Sequence, residues 1–224
     1  MSETTQHVID VHFPTRVEKT DRVIDIAESF GIGLADGTFT VFENFEMDVP
    51  QGSRIYITGQ SGSGKSILLR ELSRQLADMG KKVANLDDIK LDPDLPLIDQ
   101  LGTNTNTASR LLTTAGITDA YLFVRKPSEL SDGQRYRAHL AKVLESDADV
   151  WVADEFGAVL DRPVAKAVAY GIARNSQRLN KTLIVATTHT DLRDELGATI
   201  YVNKRFHDRI KVDLQEIDPK DTAQ

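Results

Sequence analysis

Gly59-Gln60-Ser61-Gly62-Ser63-Gly64-Lys65-Ser66 carries the most specific chemistry in this chain. Glycines at 59, 62 and 64 let the backbone turn so that successive N–H groups point inward, and such a loop opening a helix attracts phosphate. Lys65 adds a positive charge for β- and γ-phosphates, and the Ser66 hydroxyl can ligate Mg²⁺. The chemistry is the binding of a nucleoside triphosphate. Asp149 to Glu155 is an apolar run that ends in two carboxylates, Asp154 and Glu155. At the C-terminal edge of a parallel sheet, the first can hold Mg²⁺ opposite Ser66, and the second can polarise a water aimed at the γ-phosphate. Ser131 and Gln134 have the spacing of a helix capping box, and the N–H groups of such a helix start can also bind phosphate. His189 lies in the polar turn Thr187–Asp191, just after an apolar strand, where strand ends face ligands.

The elements around these residues must put them at one edge. Arg54–Thr58 reads as a buried strand. Ile67–Ala77 reads as a helix with apolar residues at 68, 69, 72 and 76. A strand at Lys82–Leu86, a loop from Asp87 to Pro96 and a mostly helical segment from Leu101 to Leu130 follow. The helix after Ser131, the strand Asp149–Ala153, the helix Pro163–Leu179 and the strand Thr182–Thr187 alternate as βαβ units do. Val8–Phe13 alternates like an edge strand. Arg22 to Pro50 reads as short strands with turns at Gly31–Gly33 and Asp36–Gly37, an antiparallel lobe. Residues 198–214 read as closing strands, and Pro219 onward as a frayed tail.

Composition sets outer bounds. The 224 residues suffice for one well-buried core, and 40% hydrophobic with 27% charged residues is ordinary for a soluble globular protein. The polar start is not a signal peptide and no run is long enough to span a membrane. With no cysteine, thiol catalysis, disulfides and thiolate metal sites are excluded, which fits a cytoplasmic address. A net charge of −7 does not indicate broad nucleic-acid affinity, although a local basic patch remains compatible with it.

Taken in order, Gly59–Ser66, Leu130–Gln134, Val150–Glu155, Ala158–Asp161 and His189 resemble an ATP-binding-cassette (ABC) ATPase domain. They look like its Walker A loop, signature motif, Walker B strand with catalytic glutamate, D-loop and switch histidine. The resemblance implies an α/β fold, a P-loop NTPase of ABC type with a mainly parallel sheet core, an antiparallel β lobe and a short helical lobe at about 101–144. That domain would cover 22–218, after an N-terminal extension (1–21) and before a tail (219–224). It also implies ATP and Mg²⁺ as cofactors, ATPase activity, and a homodimer that sandwiches two ATP molecules. Ser131, Gly133 and Gln134 of one protomer would cap the γ-phosphate held by Gly59–Ser66 of the other, and Lys65, Glu155 and His189 would complete hydrolysis.

Several positions depart from the family pattern. Asp132 stands where the signature usually has glycine and puts a carboxylate near a phosphate. Phe30 fits the adenine-stacking position best and Phe39 less well. Gln100 is the candidate for the glutamine that reaches Mg²⁺, with Asp99 readable there instead. The short span from Gln100 to the signature favours a soluble ATPase driving a protein partner or a nucleic-acid process, with no exposed apolar groove for a membrane subunit. The alternative is the nucleotide-binding subunit of a membrane transporter. Glu129–Phe206 looks most like a subgroup fused to a predicted acetyltransferase domain, which implies an acetyltransferase-like enzyme as a separate partner.

Overall fold

Arg54–Gly59 (β3) sends Ile55 and Ile57 to one face and Tyr56 to the other, all essentially without solvent exposure. A strand buried on both faces belongs to the centre of a parallel sheet. The same alternation recurs in Val150–Ala153 (β5), where Trp151 and Ala153 oppose Val150 and Val152. It recurs again in Thr182–Thr187 (β6), where Leu183 and Val185 oppose Ile184 and Ala186. The computed structural model describes residues 3–204 and the strand 210–214. Val83–Asn85 (β4), Ile200–Lys204 (β7) and Ile210–Leu214 (β8) complete a six-stranded sheet in the order β4-β5-β6-β3-β7-β8. All neighbours are parallel except β7 and β8. The tail expected from residue 219 lies outside the described residues.

Each face of the sheet has its own apolar layer. On one face Lys65–Asp78 (α2) packs Leu68, Leu69, Leu72 and Leu76 against β3, β5 and β6. Each such side chain, fully buried, contributes about 1.5–3 kcal/mol. The antiparallel pair Thr4–Thr15 (β1) and Gly37–Pro50 (β2) adds Ile9, Phe42, Met47 and Val49 to that layer. Buried His7 and Gln75 fasten β1 to α2, with Nδ1 and Oε1 2.9 Å apart, and Gln75 Nε2 donates to the Val8 carbonyl at 2.8 Å. The residues read as an N-terminal extension therefore pair with β2 along nearly its whole length. On the other face lie Thr105–Thr114 (α3), Asp132–Glu145 (α5) and Arg162–Arg178 (α6), around fully buried Trp151 and Phe156. Short helices at Ala120–Phe123 (α4) and Arg193–Leu196 (α7) complete this side.

One expectation changes. Asp21–Phe30 is a helix (α1) and not short strands. Thr20 caps it by accepting from Val23 N–H, Gly31 ends it in the left-handed conformation, and only Ala27 is buried. A cleft of about 490 Å³ in the short lobe has a mixed lining, apolar at Ile98, Leu101, Phe123 and Val124 and polar at Asp99, Thr103, Asn104 and Ser109. Among the described residues no helix is long and apolar enough to cross a membrane.

Candidate nucleotide site

β3, β6 and β5 are consecutive neighbours, so the loops leaving their C-terminal ends share one edge of the sheet. That adjacency brings Gly59–Ser66, Asp154–Glu155 and His189 together, as a parallel sheet requires of ligand-binding loops. The phosphate loop needs its glycines for shape. Gly59, Gly62 and Gly64 have φ of 150°, 74° and 99°, and a Cβ at Gly64 would lie 2.7 Å from Val41 Cγ1. Gly64 opens α2 without a side-chain cap, which leaves that cap position to a ligand. Ser63 Oγ is buried inside the loop with no hydrogen-bond partner, as suits a cradle shaped for an anion.

Lys65 is 8% exposed and its ammonium donates to the Gln60 carbonyl at 2.8 Å, closing the loop on itself. Burial pushes its pKa down, while the negative charges of Asp154 and then Glu155 oppose that shift. Both carboxylates therefore act directly on the loop. Asp154 Oδ1 accepts from the Glu155 N–H at 2.9 Å. Glu155 itself sits at φ 45°, a left-handed conformation that costs a non-glycine residue about 1–2 kcal/mol. The next N–H, of Phe156, donates to the Ala186 carbonyl of β6 at 2.9 Å, which holds this turn against its neighbour. Mg²⁺ typically takes one or two carboxylates together with substrate phosphates. Asp154 and the Ser66 hydroxyl suit it as protein donors.

His189 has its backbone held from below. The buried Tyr56 hydroxyl donates to the His189 carbonyl at 2.5 Å and accepts from Leu192 N–H at 3.4 Å. Burial, then the Arg162 guanidinium, hold the imidazole below its ordinary value, which favours the neutral form. Tyr56→Phe removes this tether without changing shape. We expect turnover to fall about threefold to tenfold, the cost of one hydrogen bond, with ATP affinity unchanged. Steady-state phosphate release would show it, and wild-type turnover would mean that the loop is positioned without Tyr56.

Ser131 and Gln134 form the expected capping box. Ser131 Oγ accepts from Gln134 N–H at 3.3 Å and Gln134 Oε1 accepts from Ser131 N–H at 2.9 Å. Asp132 is exposed and pairs with Arg135 at 3.4 Å. Gly133 packs on the turn after Glu155: a Cβ there would lie 3.2 Å from the Val159 carbonyl oxygen. Residues 131–134 are absent from the lining of the phosphate-loop cleft of their own chain.

Two candidate site residues lie away from the cleft in this structure. Phe30 ends α1, is 73% exposed and does not line the cleft. The cleft, about 510 Å³, is instead lined by Phe39 and Phe13, which face each other in the β1–β2 ladder. Gln100 is occupied elsewhere. Its Nε2 donates to the Asp92 and Leu95 carbonyls, and its Oε1 accepts from Asp92 N–H at 2.7 Å, so it staples the 92–95 loop. Asp99 is the last residue of a short 3₁₀ turn, Leu97–Asp99. The residue brought to the carboxylates is Asp87. The β4–β5 ladder ends at Asn85–Val152, and the 3₁₀ turn Leu86–Asp88 that follows brings Asp87 within electrostatic reach of Asp154 and Glu155. Partial burial, then Asp154, Asp88 and Glu155, push the Asp87 carboxyl above its usual range.

A family described as ABC transporter matches residues 42–94. The thiamine import ATP-binding protein ThiQ of Jannaschia sp. is 32% identical over 192 residues, covering 73% of this chain and 81% of that protein. An aliphatic sulfonates import ATP-binding protein, SsuB 2 of Rhodococcus jostii, is 27% identical over 68% of each chain. Among solved structures, a dimeric bacterial ABC transporter cassette matches with a TM-score of 0.67 at 15% identity, covering 95% of this chain and all of that one.

Proposed function

The chain belongs to the ATP-binding-cassette family of ATPases, and we propose that it hydrolyses Mg-ATP at the cleft of Gly59–Ser66, as one half of a homodimer. The observation that carries this reading is the strand order β5-β6-β3, which sets Asp154–Glu155, His189 and the phosphate loop side by side. Backbone N–H groups of residues 62–66 bind the β- and γ-phosphates, and Lys65 exchanges the Gln60 carbonyl for them. Mg²⁺, held by Ser66 and Asp154, would screen the phosphate charge. Glu155 accepts the proton of the attacking water while the bond between the γ-phosphorus and the bridging oxygen breaks, giving ADP and phosphate. His189, neutral, hydrogen-bonds the γ-phosphate. Phe39 and Phe13 stack the adenine in place of Phe30. Asp87, beside Asp154, takes the place expected of Gln100.

Ser131, Gly133 and Gln134 cap the γ-phosphate bound by the second copy. ATP then holds two copies together, because its phosphates satisfy N–H groups from both. Ser131→Arg fills that site. It should abolish the ATP-dependent dimer in sizing chromatography while the monomer still binds ATP. A variant that dimerises and turns over normally would reduce 131–134 to a helix cap. Asp132→Gly should leave the dimer equal or tighter.

What the cycle drives is read from the relatives. Their names, import ATP-binding proteins among them, favour a nucleotide-binding subunit of a membrane transporter over the soluble ATPase expected from the sequence. One observation favours the soluble reading: between residues 101 and 130 the helical lobe holds two α-helices, α3 and α4, and one 3₁₀ turn, Pro127–Glu129. An acetyltransferase-like partner finds no support among these relatives. Pull-down from detergent-solubilised cells with Glu155→Gln and ATP should retain a multi-span membrane protein. Recovery of exclusively non-membrane partners would overturn the transporter reading.

A further inference from the structure

Lys204 ends β7 beside the phosphate loop, in a ladder position paired with Gly59. The approach is close enough that the Lys204 carbonyl oxygen occupies the space a Cβ at Gly59 would need. The residue is 3% exposed, yet its side chain lines the same cleft as Phe13, Phe39 and Gly62–Ser66. Its Cε lies 3.9 Å from where a Cβ at Gly64 would stand, on the side of Val41 and Phe42. Its ammonium is 5.2 Å from the centre of the Phe42 ring. The backbone pairing with β3 fixes where the side chain starts, and its ammonium lies near the Phe42 ring. A lysine so placed is a preorganised charge rather than a flexible surface one.

The two lysines of the cleft come from opposite sides. β3 is flanked by β6 and β7. Lys65 feels Asp154 and Glu155, which arrive from the β5–β6 side, where the terminal phosphates react. Lys204 arrives from the β7 side and shares its wall with Val41 and with the aromatic pair from β1 and β2. In a nucleotide the phosphate nearest the base is the α-phosphate. On the nucleotide reading of this cleft, on which the inference rests, Lys204 sits where that group passes.

We propose that Lys204 is a second cationic nucleotide ligand that addresses the α-phosphate, so that ATP and ADP share it equally. A charge-assisted hydrogen bond of this kind is worth about tenfold or more in affinity. Lys204→Met keeps the apolar stem against Phe42 and removes the charge. Calorimetric Kd values for Mg-ATP and Mg-ADP should both rise about tenfold and by the same factor, and Lys204→Arg should restore most of the loss. Lys65→Met, by contrast, should weaken ATP more than ADP. A Lys204→Met protein that melts like wild type without nucleotide and binds both nucleotides with wild-type affinity would overturn the proposal. A second measurement does not depend on that variant's fold. In ¹⁵N-lysine-labelled wild type, the Lys204 ammonium resonance, assigned with Lys204→Arg, should shift on adding ADP and stay put with adenosine. A resonance that ignores ADP overturns the proposal. A wild-type protein that binds neither nucleotide would defeat the reading of the cleft itself, a different outcome from wild-type binding that Lys204→Met leaves intact.

Discussion

Lys65→Met should lose half or more of the thermal stabilisation that Mg-ATP confers, while the protein without nucleotide melts close to wild type. Lys65 starts α2 and its side chain is buried against its own loop, where methionine has nearly the same length and stem. What is lost is the ammonium, the only part that leaves Gln60 for a phosphate. A hydrogen bond to a charged group is worth about 1.5–3 kcal/mol, so affinity should fall about tenfold to a hundredfold. At ATP a hundredfold above the wild-type Kd, the wild type gains about 2.7 kcal/mol of stability and the variant about 0.4–1.4 kcal/mol. Equal stabilisation of the two proteins by Mg-ATP would mean that Gly59–Ser66 is not the phosphate site.

Glu155→Gln should bind ATP as wild type does and turn it over about a hundredfold or more slowly, since general-base assistance is typically worth that much. The turn itself should survive, because glutamine can adopt the same φ of 45° that glutamate already tolerates there. The bound ATP then persists, and with it the dimer. The variant with Mg-ATP should elute as a dimer and with ADP shift toward monomer. Single-turnover phosphate release is the direct check, and a wild-type rate would remove Glu155 from the mechanism. His189→Ala should slow turnover less severely.

What could be read in advance was what is local in sequence. Gly59–Ser66 declares itself because the turn, the charge and the hydroxyl all lie within one loop, and Asp154–Glu155 because a buried strand announces its own end. The helix α1 was not legible. Val23, Ile24 and Ile26 are β-branched residues that favour strands, and the deciding features are the Thr20 cap and Gly31 stop at its ends. Phe13 could not be found from sequence because its place depends on the β1–β2 register. That ladder shifts at Ile9, Val11 and His12, and each slip changes which side chain faces the cleft. Asp87 and Lys204 are likewise products of pairing between strands far apart in the chain. Gln100 had the right residue type, but its amide meets the backbone of its own loop first.

The seat of Gly133 on the Val159 carbonyl has a consequence for traffic between the two halves of a dimer. It is one of three fastenings between α5 and the turn that carries Glu155. The Gly157 N–H donates to the Tyr136 hydroxyl at 3.0 Å, and the Tyr136 ring meets Phe156 edge-on at 6.2 Å. In the proposed pairing, the first turn of α5 reads the nucleotide of the other copy, while the fastened turn works on the chain's own. In that pairing these contacts would join the stretch that meets the neighbour's nucleotide to the turn that carries the chain's own Glu155. Loading one cleft would nudge the catalytic carboxylate of the other, so the two sites would keep time with each other rather than fire independently.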